Sequence, residues 1–222
     1  MKINTFHLIL KTDKKVTEEA SRLRGFLGNT FKEYPLLHNH YSEEKFLYSY
    51  PLVQYQIIEG LVSILGIEEG SDTLKNIFSE ISTLKLGKNT YDVVEKIIYE
   101  KETDIRTMNY ELHYKFLSPW LALNTKNHTK YMNITSWKEK KLFLNNILVG
   151  NILSMAKGLG IIVDRKIYVK SHLEGVYTQY KSVNMRGFLG EFKVKFQIPD
   201  FFGLGKGVSH GFGTVKEIKN DE

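Results

Sequence analysis

Residues 3 to 10 are almost continuously apolar and β-branched, the pattern of a buried strand, and Thr17 followed by Glu18 and Glu19 reads as the capped start of a helix. Leu23, Phe26, Leu27 and Phe31 then recur at helical spacing, and Pro35 ends the run. Phe46, Tyr48 and Tyr50, then Val53, Tyr55 and Ile57, alternate with their neighbours and predict two strands broken at Pro51. Ser71-Asp72 opens a second helix with Leu74, Ile77, Phe78, Ile81 and Leu84 as its apolar stripe and Gly87 as its stop. Residues 89 to 99 complete this half as a strand, although Val93, Val94, Ile97 and Ile98 also fit a helix. The order strand, helix, strand, strand, helix, strand is the ferredoxin-like split βαβ pattern.

The second half repeats it. Tyr110, Leu112, Tyr114 and Phe116 alternate as an opening strand, and Ser136-Trp137-Lys138-Glu139 is a capping box that starts a long helix ending at Gly158. Residues 161 to 169 predict a strand, and Phe188, Phe192, Val194 and Phe196 another, with Glu191, Lys193, Lys195 and Gln197 on its opposite face. No second long helix follows. Pro199-Asp200-Phe201-Phe202 and a glycine-rich run occupy its place before a last strand near 212 to 218. The charged stretch Glu100, Lys101, Glu102, Asp104, Arg106 marks the boundary, so the chain is expected to be α+β with tandem βαββαβ domains at 1–105 and 106–222.

At 222 residues the chain is long enough to bury its own core without staples. The absence of cysteine removes disulfides, thiolate zinc sites, iron-sulfur clusters and cysteine nucleophiles, so the chemistry left to it runs on His, Lys, Tyr, Ser and carboxylates. The first apolar stretch is too short for a signal peptide and no segment is long enough to span a bilayer, which places the protein in the cytoplasm away from membranes. Charge is uneven: residues 1 to 111 hold 14 Lys and Arg against 17 Asp and Glu, and residues 112 to 222 hold 17 against 8. A basic second half is either a solubility charge or a polyanion footprint.

Two segments could carry chemistry. Gly203-Leu204-Gly205-Lys206-Gly207-Val208-Ser209-His210-Gly211-Phe212-Gly213-Thr214-Val215 is neither a Walker loop, since no Gly-Lys precedes Ser or Thr, nor a dinucleotide fingerprint, since Val208 replaces the third glycine. Its spacing fits either a tight connection between strands or a loop whose amides approach phosphates, with Lys206 adding a charge. The other segment, Tyr34 to Tyr48, holds His38 and His40. Imidazoles, with unperturbed pKa near 6.5, can serve as both base and acid near neutral pH, and on an extended backbone these two would project to one side. His-x-His also occurs in metal sites, but no third ligand stands at a recognisable spacing, and neither a metal nor another cofactor is expected. His7, His113, His128 and His172 read as exposed loop histidines, while His210 either contacts a ligand or packs beneath its loop.

The glycine spacing Gly-apolar-Gly, three residues, Ser, one residue, Gly-Phe-Gly, one residue, Val resembles the carboxyl-terminal signature of the CRISPR-associated endoribonucleases of the RAMP superfamily, which cut precursor CRISPR RNA within its repeats. The element order agrees over most of the chain, and the His-rich segment is similar to that of the family's archaeal branch. The basic residue common at the fifth loop position is Gly207 here, with Lys206 beside it, so the phosphate contact shifts or is shared with Arg186.

The resemblance implies metal-independent cleavage by the neighbouring 2′-hydroxyl to a 2′,3′-cyclic phosphate. It implies His40 and His38 as acid-base groups, Lys45 as the cation, and Tyr48 or Tyr34 as support. RNA contacts are expected from Arg24, Lys32, Arg186, Lys193, Lys195, Gly205, Lys206, Ser209 and His210, from a monomer or homodimer that also meets a CRISPR interference complex. A non-catalytic RNA-binding protein of the same superfamily is the alternative, because the loop is common to both.

Overall fold

The computed structural model describes residues 1–38 and 50–219, together with the backbone of His40–Ser42 and Lys45–Phe46. It packs as two units: Lys2–Thr103 with Val208–Gly211, and Asp104–Gly207 with Phe212–Glu222 and Met1.

The first unit begins with β1 (Lys2–Thr12), whose Phe6, Leu8 and Leu10 enter the core, and α1 (Ala20–Thr30), which buries Leu23 and Leu27 against them. A 3₁₀ turn over Pro35–Leu37 leads to a ribbon of β2 (His40–Ser42) and β3 (Lys45–Phe46), then to β4 (Val53–Ile58) and β5 (Leu61–Ile67). After α2 (Glu69–Ile77) come β6 (Thr83–Leu86) and β7 (Asn89–Asp104). The sheet order β4-β5-β1-β7-β6 is the ferredoxin-like arrangement with β6 added at the edge.

The second unit contains β8 (Thr107–Phe116), α3 (Thr125–Asn133), α4 (Trp137–Gly158), β9 (Val169–Tyr180), β10 (Val183–Phe196) and β11 (Val215–Glu217). Its order β11-β8-β10-β9 is the same arrangement, without the second helix. The core is aromatic: Phe116 stacks on Trp120 at 5.5 Å and Tyr114 on Phe192 at 5.4 Å. Leu144, Leu148 and Ile152 of α4 are buried, one face of a helix whose start is fixed by Ser136 Oγ accepting from the Glu139 amide.

Several local expectations are corrected. Thr17 does not cap α1. The cap position is Glu19, which makes no side-chain cap bond, while Glu18 accepts from the Tyr91 hydroxyl and the Asn89 amide, each at 2.6 Å. Tying Glu18 to the β6–β7 hairpin costs the helix its first turn. The stripe through Leu84 is also not one helix. α2 stops at Ile77, and Leu84 and Leu86 are buried at strand spacing; Leu84 lies seven residues from Ile77, which fits a helix, and two from Leu86, which fits a strand, and Gly87 (φ 65°) sits in the hairpin turn.

β5, unforeseen in the pattern, is buried at every residue after Leu61, so no alternation marked it. α3 was missed as well, its cap Asn124 accepting from the Asn127 amide. Residues 161 to 168 form no strand, and Ile162 is 91% exposed. Lastly, His7 is no loop residue: it lies in mid-β1, 7% exposed, and His113, His128 and His172 stand on β8, α3 and β9.

Candidate functional site

Within the first unit, α1 carries Arg24 on the same helix as two glycines. One of these, Gly28, packs directly on the His38 imidazole, where a β-carbon would overlap the ring. His38 closes the 3₁₀ turn with φ −99° and ψ −7°, so the extended backbone that would align it with His40 does not hold at this residue. Two groups pin the turn from beneath. The Tyr55 hydroxyl donates to the Leu37 carbonyl at 3.0 Å, and Arg24 Nη2 donates to the His38 carbonyl. Complete burial pushes the Tyr55 phenol far above its usual range, with Arg24 acting in the opposite sense, so it stays a donor at any ordinary pH.

The other terminal nitrogen of Arg24, Nη1, lies 2.8 Å from His210 Nε2. A guanidinium has only donors, so the imidazole accepts here and carries its proton on Nδ1. His210 lies in the 3₁₀ turn Val208–His210, the tip of the glycine-rich loop, and that tip packs with the first unit. Gly211 (φ 85°) allows this approach, for a β-carbon there would come 2.8 Å from Ala20 Cβ and 3.0 Å from the Tyr55 carbonyl. Arg24 therefore joins the backbone of the His-rich segment to the loop tip.

The rest of the loop belongs to the second unit. Gly205 (φ 86°) closes over the Trp120 Nε1 to Asn151 Oδ1 hydrogen bond, with room for no β-carbon, and Gly213 (φ 68°) lies against the Leu204 carbonyl. Leu204 and Gly213 amides are satisfied by Gly213 and Pro119 carbonyls, whereas those of Gly205 and Gly207 meet no acceptor among the described residues. Lys206 is exposed, its Nζ 5.1 Å from the centre of the Tyr180 ring. The loop is thus a tight connection and a donor surface together.

The remaining expected residues are dispersed. Lys193 and Lys195 project from the exposed face of β10, Lys193 opposite His113 and Lys170, but this face also carries carboxylates. Glu111 pairs with Lys170 at 2.7 Å and Glu191 with His113 at 2.9 Å. The hydrogen bond from Lys170, with Lys193 and Lys195 adding their field, holds the Glu111 carboxyl below the usual range. Lys32 is exposed just beyond α1, and Arg186 lies against Tyr131 in the second unit. Ser209 sits between Val208 and His210 in the loop turn. The side chains of His40 and Lys45, and Tyr48 as a whole, lie outside the described residues.

Among the described residues no three His, Asp or Glu side chains are placed to hold a metal ion, and no helix is long and apolar enough to cross a membrane.

Two ferredoxin-like units, the second trading a helix for a glycine-rich loop, define a two-domain α+β protein with the fold shared by Cas6-type structures. The Cas6b N-terminal domain model matches residues 1–104 and the Cas6b C-terminal domain model residues 106–218. The chain belongs to the Cas6b family.

A crystal structure of Cas6b superposes with a TM-score of 0.91 at 34% identity, covering 98% of this chain and 100% of that one. A second, of the CRISPR RNA processing endoribonuclease Cas6b, gives 0.79 at 31% identity, again covering 98% and 100%. An uncharacterized protein of Methanocaldococcus jannaschii is 40% identical over 146 residues, which are 64% of this chain and 97% of that protein.

Proposed function

We propose that this protein is an endoribonuclease that binds precursor CRISPR RNA and cleaves it within the repeat. A base takes the proton of the 2′-hydroxyl, the resulting oxygen attacks the adjacent phosphorus, and the departing 5′-oxygen receives a proton from an acid, leaving a 2′,3′-cyclic phosphate without need of a metal. His40 and His38 supply the two proton steps, His40 as the principal group, with Lys45 stabilising phosphate charge and Tyr48 supporting the pair. RNA is held by phosphate and stacking contacts from Arg24, Lys32, Arg186, Lys193, Lys195, Gly205, Lys206, Ser209 and His210. In this reading residues 1–105 carry the catalytic segment and 106–222 the RNA-binding loop, and a monomer or homodimer acts in the cytoplasm and meets a CRISPR interference complex.

The observation that carries the reading is Arg24, which donates at once to the His38 carbonyl and to His210 of the glycine-rich loop. One guanidinium so couples the segment with the histidines to the loop with the free amides. Similarity to a CRISPR RNA processing endoribonuclease over the whole chain supports it further.

The test is cleavage of a CRISPR repeat RNA in EDTA, with and without a single deoxyribose at the nucleotide before the cut. Cleavage of the all-ribose RNA and binding without cleavage of the deoxy RNA are expected. Cutting of both would exclude attack by the 2′-hydroxyl, and binding of both without cutting would leave a non-catalytic RNA-binding protein.

A further inference from the structure

The hairpin of β9 and β10 carries an arrangement that the loop and the His-rich segment do not use. Arg186 lies with its guanidinium 5.7 Å from the centre of the Tyr131 ring, and on its way crosses the backbone at Gly175. A β-carbon on Gly175 would come 2.7 Å from Arg186 Nε and 2.8 Å from Nη2, so glycine is what lets the fork lie against the strand. Tyr131 is itself buried, held edge-on against Phe188 at 5.6 Å, with the Lys140 ammonium 5.1 Å from the same ring. The guanidinium is therefore fixed by rigid neighbours and not by an ion pair.

No nitrogen of Arg186 meets an acceptor or a carboxylate among the described residues, and only Nε is shut off from solvent. Nη1 and Nη2 present an unsatisfied, solvent-accessible donor edge. A positioned guanidinium of this kind suits the oxygens of a phosphodiester, which accept two parallel N–H bonds. Tyr177 stands directly opposite Arg186 in the antiparallel register, and because Arg186 leans toward Gly175 the Tyr177 ring is left 93% exposed. An exposed tyrosine directly across the strand pair from a fixed cation, with β-carbons about 5 Å apart, offers a base a stacking surface beside the place of its phosphate.

We propose that this face of the hairpin is a seat for one nucleotide of single-stranded RNA, its phosphate on the Arg186 donor edge and its base on the Tyr177 ring. The seat rests on the reading of the chain as an RNA-binding protein, gives the Arg186 contact of that reading a defined donor edge, and adds to it Tyr177 as a base platform outside both the glycine-rich loop and the histidine segment. A duplex is a poor occupant, since its bases are already stacked on one another and offer no face to a single tyrosine.

The full-length protein is titrated with fluorescein-labelled 12-nucleotide oligoadenylate and with a 12-base-pair RNA duplex, at several salt concentrations. Tyr177→Ala is expected to weaken oligoadenylate binding ~10-fold with an unchanged salt slope, since stacking releases no counterion. Arg186→Gln is expected to weaken it and to reduce the slope of log K against log salt by about 0.7, the share of one phosphate on a single strand. Arg186→Lys keeps the charge but not the flat fork, and is expected to recover the slope but not the affinity. Tyr177 is so exposed that Tyr177→Ala folds even where an Arg186 variant does not.

Wild-type affinity for oligoadenylate in Tyr177→Ala overturns the seat, as does tighter binding of duplex than of single strand by the wild type. The outcome is separable from the nuclease reading. Variants that lose oligoadenylate while the wild type cuts no repeat RNA keep the seat and remove the nuclease, and a wild type that cuts repeat RNA while Tyr177→Ala binds normally does the reverse.

Discussion

Arg24 Nη1 lies 2.8 Å from His210 Nε2, across 186 residues of sequence, while Nη2 of the same fork donates to the His38 carbonyl. Only a planar side chain with two divergent donors spans both acceptors. Arg24→Ala is expected to lower single-turnover cleavage of repeat RNA by ~10-fold or more and to destabilise the fold by about 1.5–3 kcal/mol, the range for hydrogen bonds to charged groups. Arg24→Lys, a single point of charge, recovers neither. Rate measurements alongside denaturant melts check this, and a wild-type rate in Arg24→Lys would remove the coupling role.

Two glycines of α1 make a matched pair of tests. Gly25 has open space around its missing β-carbon, so Gly25→Ala should gain about 0.5–1 kcal/mol from helix propensity alone. Gly28→Ala gains the same propensity but displaces the His38 ring. If His38 takes part in cleavage, Gly28→Ala slows it at least ~10-fold while RNA binding is retained; equal rates in both variants would show that the placement of this ring does not matter.

His40→Ala and His38→Ala are each expected to lower the single-turnover rate by ~10²-fold or more, the scale of a general acid or base, with little change in binding. Because both act on one transition state, the double variant should be hardly slower than the worse single one. The wild-type rate should follow a bell in pH whose limbs belong to the pair. Were both single variants to cut normally, attention would move to His210.

His7 is buried in β1 with Nε2 2.5 Å from Ser63 Oγ, which in turn donates to Gln56 at 3.1 Å. Burial, with the charge of Lys101 adding to it, lowers its pKa to about 4. Between that value and the ordinary 6.5 the unfolded chain binds more protons at this site than the folded one, so folding stability rises with pH across the interval. His7 is thus expected to withdraw on the order of 3 kcal/mol as pH falls from about 6.5 to 4. Urea melts of wild type and His7→Asn across this range should show a shallower acid-side slope in the variant; identical slopes would assign the acid sensitivity elsewhere.

Lys206 and Lys193 stand on separate elements of the second unit, and both are exposed. If each meets a phosphate, Lys206→Ala with Lys193→Ala should weaken repeat RNA binding and flatten its salt dependence by about 1.4 in slope, two contacts on a single strand. The neighbouring Glu111 and Glu191 make Lys193 the weaker contributor of the two, so Lys206→Ala alone is expected to account for most of the lost affinity. An unchanged slope in the double variant would mean that the RNA lies on another surface.

The chain's own pattern sufficed wherever one local rule acted alone. Alternation gave away β8 and β10, Ser136 and Glu139 marked the start of α4, and the glycine spacing marked a loop whose Gly205, Gly207, Gly211 and Gly213 all take left-handed backbone. The two segments proposed to carry chemistry are marked only by residue types at short spacing, and their roles rest on the cleavage and binding measurements proposed above. Tertiary structure decided the rest. β5 is buried on both faces and shows no period, Leu84 stands at helical spacing from Ile77 and at strand spacing from Leu86, and His7 is polar yet interior because Ser63 on the neighbouring strand bonds it and donates in turn to Gln56. Periodicity records which face of an element is buried; it says nothing of what lies opposite. The reach of Arg24 to His210 and the lie of Arg186 over Gly175 depend on which elements the sheet order brings together, and no local spacing encodes that order.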